Sequence, residues 1–369
     1  SGIWVAFNDT TVRKFNTSGD QVWENGSHTE QVLSIAVDGA GNSYSLSNAQ
    51  SDNFKKIDPQ GNEEWSATIG NVSLGSNRVR AGKDGFAYVA SLDKIFKYDS
   101  DGNQVWVNTP SFSETIRDFD VDRSGNVFAT EDNNPSNMIR LFPGGSLAWS
   151  IALTLGTAPG IAVAVSSGIH IWVSTVDEIY RYDYDGNVIG AAIPEASIPI
   201  ALQALDDGSV VISVGGIGSR KIDRDGVDVW SESTAGSAVS AVDLGGNVYV
   251  ISDGAGAFDA GDVMKLSGQD GTLIWSKDLD PITFPKQVAA SENSLGEPIF
   301  IDGFEMVRRS IRWDDVAGKP ESISEQVFSE RGTPATPPTG KAIIFVDSVD
   351  GAFKVKFDNG VVKTIASPI

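Results

Sequence analysis

The sequence predicts an all-β chain built from repeated four-stranded antiparallel units, and three observations predict it. The first is a repeat: VRKFNTSGDQVW (Val12–Trp23), FKKIDPQGNEEW (Phe54–Trp65), IFKYDSDGNQVW (Ile95–Trp106), MIRLFPGGSLAW (Met138–Trp149), IYRYDYDGNVIG (Ile179–Gly190), SRKIDRDGVDVW (Ser219–Trp230) and VMKLSGQDGTLIW (Val263–Trp275). Their closing positions lie 40 to 45 residues apart. The second is a companion element between the copies, seen in IAVDGAGNSYSL (Ile35–Leu46), FDVDRSGNVFAT (Phe119–Thr130), LQALDDGSVVIS (Leu202–Ser213) and VSAVDLGGNVYVIS (Val239–Ser252). Each is an apolar or alternating run, an Asp-bearing turn and a β-branched run, which is a hairpin signature. The third is that no helical spacing accompanies this period, as a helical solenoid would require.

Each period therefore holds four short strands, A to D, and four antiparallel strands repeated at this spacing predict a β-propeller. Ser1–Val5 (SGIWV) matches SGIHIWV at Ser167, so the chain starts inside a unit, with Ile3–Phe7 as a B strand. Six full units follow from about Gln31 to Lys277. Lys286–Asp302 then reads as strands A and B of another unit and Phe304–Arg312 as its C strand. QVFS at Gln326 echoes QVLS at Gln31 and would close the ring onto the three N-terminal strands. That count favours eight blades. The alternative is seven, closed by Lys286–Ser291, with Glu297–Glu330 as an excursion.

Gly332–Gly340 (GTPATPPTG) reads as a proline-rich linker. Ala342–Ala366 reads as three short strands with tight turns, too few to bury a core alone. The expected organisation is a propeller over 1–331, the linker over 332–340 and a β-strand tail over 341–369. Ile151–Val176 has no formal charge, but Gly156, Pro159, Gly160 and Gly168 divide it into strands and turns rather than a span. Without an initiator Met or a visible signal peptide, the chain is expected to be processed or trimmed.

The chain carries 28 basic and 49 acidic residues, a formal charge of -21, which opposes nucleic-acid binding because phosphate contacts need clustered cations. Cysteine is absent, which removes disulfides and thiolate metal sites. His28 and His170 are the two histidines, and neither has a neighbourhood that points to catalysis.

DSDGN at Asp99 resembles a calcium loop only superficially. An EF-type loop needs Gly at position six and Glu at twelve, but Gly102 follows Asp101 directly and position twelve is Pro110. The turn survives in copies that lose the acids, so its residues serve turn geometry. The third residue of every C strand is basic: Lys14, Lys56, Lys97, Arg140, Arg181, Lys221 and Lys265. Nine residues later stand Trp23, Trp65, Trp106, Trp149 and Trp230, with Gly190 in that place in a sixth copy and Trp275 ten away in the seventh. With a turn at Asp101-Gly102, Lys97 faces Trp106 across the hairpin. The expected role is structural, the basic stem covering the indole and its head reaching solvent or an acid. Asp118, Asp120 and Asp122 alternate along an A strand, which lines the channel of a propeller, and are the weak candidates for a cation site. Asp253–Asp262 and Glu131–Asn137 depart from the repeat and are candidate contact loops. No catalytic residue, resident metal or cofactor is assigned.

The repeat resembles two groups of bacterial propeller repeats. GNQVW at Gly102 and GNEEW at Gly61 are similar to the Gly-x-x-x-Trp element of PQQ-like (quinoprotein) repeats. DLGGNVYV at Asp243 with KIDPQGNEEW at Lys56 is similar to the D-x-x-G-N…G-N-x-x-W propeller repeat. These resemblances imply fold and not activity. The vicinal disulfide frequent in quinoprotein dehydrogenases is impossible here; the non-enzymatic PQQ-like scaffold of outer-membrane assembly is nearer in size, but it would carry a lipid-anchored cysteine, which is also absent. GKAIIFVDSVDGAFKVKFDNGVVKTIA (Gly340–Ala366) resembles the short β modules, of the form strand, S-x-D-G, strand, D-G, strand, that close many tailed-phage virion proteins. That resemblance implies a non-enzymatic virion protein (fibre, appendage or head decoration) found on the particle or outside cells. Its implied partners are other virion proteins or a host receptor, protein or glycan, and the tail leaves homo-oligomerisation open. The alternatives are a secreted or periplasmic protein-binding scaffold and, third, a glycan-active hydrolase or lyase.

Overall fold

The computed structural model describes most of residues 2–278, the backbone of 285–290, and the backbone of short strands at 300–301, 304–305, 330–331, 342–347, 353–357 and 362–366. Two compact units are present, Ser1–Asn293 and Ser294–Ile369.

In the first unit, hairpin patterning is realised as four-stranded antiparallel blades. Blade 2 is Val32–Val37, Ser43–Ser47, Phe54–Ile57 and Glu63–Ala67. Blade 3 is Arg78–Ala81, Ala87–Ser91, Lys94–Tyr98 and Gln104–Asn108. Blade 4 is Ile116–Val121, Val127–Glu131, Asn137–Leu141 and Leu147–Ala152. Blade 5 is Ala162–Ser166, His170–Ser174, Glu178–Tyr182 and the short Ile193–Pro194. Blade 6 is Pro199–Ala204, Val210–Val214, Gly218–Ile222 and Asp228–Glu232, and blade 7 is Ser237–Val242, Val248–Ser252, Asp262–Leu266 and Leu273–Asp278. The B strands of blades 1 to 6 are buried along nearly their whole length, whereas the D strands face water.

Blade 1 corrects the expected count of eight. Its B, C and D strands are Ile3–Phe7, Val12–Phe15 and Gln21–Asn25, and its A strand is Pro285–Ala290, paired Ile3↔Ala290 to Ala6↔Gln287. The Lys286 stretch thus completes the first blade instead of opening an eighth, and the ring has seven blades. An N-terminal blade lacking strand A exposes one long unpaired edge, and the first downstream segment with an A-strand pattern satisfies it. Outer-strand contacts close the same ring: Trp275 of blade 7 donates to the Thr17 carbonyl of blade 1 at 3.1 Å, and Lys277 meets Asp20 at 2.8 Å. The segment around Gln326, the residues 306–312 and the linker at 332–340 lie outside the described residues.

The repeated turn is built by its first residue. Asp99 Oδ1 accepts the amides of Asp101 and Asn103 at 3.0 and 2.8 Å, while Gly102 adopts φ 85°. That positive φ is why glycine stands there. A bulge after Lys97 keeps Lys97 opposite Trp106 and shifts Tyr98 opposite Gln104.

In the second unit, Ala342–Asp347, Phe353–Phe357 and Val362–Ala366 form an antiparallel sheet. Glu330–Arg331 pairs parallel to the first of these strands, and Phe300–Ile301 pairs with Phe304–Glu305.

Candidate functional site

Two places gather the sequence-selected residues: the seams between outer strands and the wall of the central channel. At the seams, the basic residue and the tryptophan are cross-strand partners in six blades: Lys14↔Trp23, Lys56↔Trp65, Lys97↔Trp106, Arg140↔Trp149, Lys221↔Trp230 and Lys265↔Trp275. Their heads do more than reach solvent or an acid. Trp23 Nε1 and Lys14 Nζ both donate to the Pro59 carbonyl, each at 3.0 Å. Trp65 and Lys56 share the Ser100 carbonyl at 3.0 and 3.1 Å. Trp149 and Arg140 share that of Tyr184, and Trp230 and Lys221 that of Gly268. Each carbonyl belongs to the C–D turn of the next blade, and the turn glycine lies under the indole. A Cβ at Gly102 would stand 2.8 Å from Trp65, and one at Gly271 2.8 Å from Trp230.

Three blades depart from this scheme: in blade 7 Trp275 donates to the Thr17 carbonyl, while Lys265 Nζ lies 3.9 Å from Asp243 and 5.3 Å from the Tyr249 ring centroid. Lys97 Nζ lies 3.9 Å from the Phe86 ring centroid and 5.0 Å from that of Tyr88, while Trp106 alone donates to Pro143. In blade 5, where Gly190 replaces tryptophan, Arg181 donates to the Arg224 carbonyl.

The channel acids are not assembled as a metal site. Asp118 Oδ1 pairs with Arg80 at 3.0 Å and Arg78 at 3.6 Å, and its Oδ2 accepts the Val163 amide of blade 5 at 3.2 Å. Asp120 meets Arg80 at 3.5 Å and accepts the Val165 amide at 2.8 Å. Asp122 is the turn residue, accepting the amides of Ser124 and Asn126. The weak cation-site candidates are thus an ion-pair clamp across blades 3, 4 and 5 plus a turn. Among the described residues, no group of three acids or histidines is placed to hold a metal. Burial pushes the Asp120 carboxyl up, against the pull of Arg80. RVR at Arg78 stands about one period before DFD at Asp118, but nothing local in the sequence sets the two against each other.

His28 Nε2 contacts Ser45 Oγ at 2.8 Å, and Lys55 and Glu63 are its charged neighbours. Ser45 is fully buried, so this pair cannot present a nucleophile to substrate. Burial, reinforced by Lys55, lowers the His28 pKa from 6.5 to about 4. The unfolded chain therefore takes up a proton that the fold refuses, and stability falls as pH drops below the unfolded value. From about pH 7.5 to about pH 5 the loss due to His28 is about 2 kcal/mol. Urea unfolding of the wild type and His28→Gln over that range measures it. The difference between the two cancels other titrating groups, Asp120 included, and a pH-independent difference sinks the assignment. His170 packs edge-on to Trp172 with ring centroids 6.1 Å apart.

Of the expected contact loops, 253–261 and 133–135 lie outside the described residues. Glu131 is committed to structure: it accepts the Ser113 amide at 2.5 Å and the Asn137 side chain at 2.8 Å.

No protein-family model matches the chain, and no curated protein matches it. Solved structures do. A streptogramin B lyase is 14% identical at TM-score 0.56, covering 67% of this chain and 89% of its own. A catalytically inactive virginiamycin B lyase from Staphylococcus aureus with quinupristin is 15% identical at TM-score 0.57, covering 68% and 85%. BamB from Moraxella catarrhalis is 16% identical at TM-score 0.50, covering 75% and 85%. The similar proteins include lyases as well as BamB, and at these identities the likeness carries the propeller fold and no activity.

Proposed function

We propose that the chain is a non-enzymatic protein-binding scaffold. The observation that carries this reading is the outer rim. The D strands are edge strands, and they expose Val22, Val105, Val229 and Ile274 at 55%, 49%, 46% and 50%. Apolar edge positions of this kind fit association with another polypeptide. The described channel acids are spent on arginines and amides, and the one described Ser–His pair is sealed in the interior, so neither supports acid–base chemistry.

Virion placement, with an extracellular or particle-borne location and virion or host-receptor partners, rests on the resemblance of the tail. A photo-crosslinking residue at Val229 or Ile274, activated in the cells or particles that make the protein, tests the scaffold reading. Discrete protein adducts are expected. Turnover of a streptogramin or a glycan by the purified chain, without adducts, overturns the reading. Peptides of the chain in purified virions would decide the placement.

A further inference from the structure

One turn in the ring breaks its own rule. In the other six C–D turns, the first residue is Asn16, Asp58, Asp99, Asp183, Asp223 or Ser267, and its side-chain oxygen accepts turn amides. In blade 4 that residue is Phe142. The backbone turn is unchanged, with Phe142 N donating to Ser146 O and Gly145 N to Phe142 O, each at 2.8 Å. A phenyl ring supplies no acceptor to the amides of Gly144 and Ser146, and it stands 47% exposed. The residue leaving the turn, Leu147, is 48% exposed; blades 5 and 7 also carry exposed apolar residues there, Val188 and Leu273, so the exposed aromatic is what sets blade 4 apart. Local stability is given up for an exposed aromatic, a pattern that functional surfaces show.

The surroundings say what fits. The turns on either side, in blades 3 and 5, carry Asp99 and Asp101, and Asp183 and Asp185. Asp101 and Asp185 are exposed. Hydrogen bonds from Asn103 and Asn187 hold the Asp99 and Asp183 carboxyls below their ordinary range, so they stay ionised. The patch is therefore an apolar knob, Phe142-Pro143 with Leu147, between two fixed negative turns. We propose that the blade 4 turn is a docking point for a protein segment that presents an apolar side chain flanked by lysines or arginines. The proposal rests on the scaffold reading and adds the place and the charge of the partner. Charge complementarity steers such a segment and fixes its register, while the apolar contact sets its lifetime.

The test uses the full chain and a fluorescein-labelled peptide of about twelve residues with a central Leu-Phe pair between lysine pairs. Its controls replace the lysines by glutamates or Leu-Phe by Ser-Ser. The lysine peptide is expected to bind, less well in high salt, and at least about tenfold more weakly to Phe142→Asp and Leu147→Gln than to wild type. Val227→Gln, in the blade 6 turn, where an apolar residue is 61% exposed away from blade 4, should bind as wild type. Phe142→Asp restores the missing acceptor, with Asp58-Pro59 as precedent in blade 2, so its melting temperature should rise. Undiminished binding to Phe142→Asp with loss in Val227→Gln overturns this site and leaves the scaffold reading standing. No binding by any peptide, with no crosslinked protein at Val229, sinks both. A lowered melting temperature in Phe142→Asp would make the ring structural, held beneath the Arg140 guanidinium 5.8 Å away. Binding of neutral oligosaccharides at this turn in place of the peptide would assign it to glycan and overturn the proposal.

Discussion

Trp172→Ala should destabilise the propeller by about 3–5 kcal/mol, the cost of truncating a large buried ring. Trp172 is on the B strand of blade 5 and has no exposed surface. It joins a cluster with Leu202, Val210, Ile212 and Ile222 of blade 6, so the cavity would open at a seam rather than inside one blade. That seam has no indole on its outer strand, because Gly190 stands where five copies carry tryptophan nine residues after the basic residue. Trp172 supplies instead the indole contact to blade 6, its Nε1 donating to the Gly208 carbonyl at 3.2 Å. Trp4 is the same position in blade 1, opposite Lys14 as Trp172 is opposite Arg181. Trp4 is equally buried, but its Nε1 has no hydrogen-bond partner. The two phenylalanine variants separate packing from hydrogen bonding. Trp172→Phe should lose about 1 kcal/mol more than Trp4→Phe, the net worth of one hydrogen bond. Urea unfolding measures all three variants, and equal losses in the two phenylalanine variants would dismiss the Gly208 bond as a contributor.

Strand alternation and turn chemistry made the blades legible, because each hairpin is decided by residues within about ten positions of one another. The facing of Lys97 and Trp106 follows from a two-residue period and one turn, both local. Blade number was not local. Lys286–Ala290 has the pattern of any A strand, and whether it opens a new blade or completes the first depends on a partner at Ile3–Phe7, some 280 residues away. The shared carbonyls were hidden for a similar reason. Lys56 and Trp65 converge on Ser100 only because the next blade is packed at a particular distance, and a backbone oxygen leaves no mark in the sequence. Phe142 could be read as a departure from the repeat, but its exposure could not.

The same limit applies to Asp118, whose alternation with Asp120 suited a cation until blade 3 placed two arginines against it. If the clamp holds blades 3, 4 and 5 together, Asp118→Ala should cost about 2–4 kcal/mol, because removing one partner of a buried ion pair strands the other. Arg78 and Arg80 lose the carboxylate they share, Arg80 keeping Asp120 at 3.5 Å, and the Val163 amide loses its acceptor. Channel water moderates the loss, since the Arg78 and Arg80 side chains retain 37% and 23% exposure. Asp118→Asn keeps an oxygen for Val163 and should fall between Ala and wild type. Arg80→Met in the Asp118→Ala background should cost less than the two changes summed, because the Arg80–Asp118 pair can be lost only once. Full additivity, or an Asp118→Ala loss within about 0.5 kcal/mol of zero, would show that the acids are merely solvated in the channel. A cation site makes the opposite prediction: divalent ions would raise the melting temperature of the wild type and not of Asp118→Ala. The guanidinium groups beside Asp118 and Asp120 argue against that outcome, because they already supply the positive charge a cation would bring.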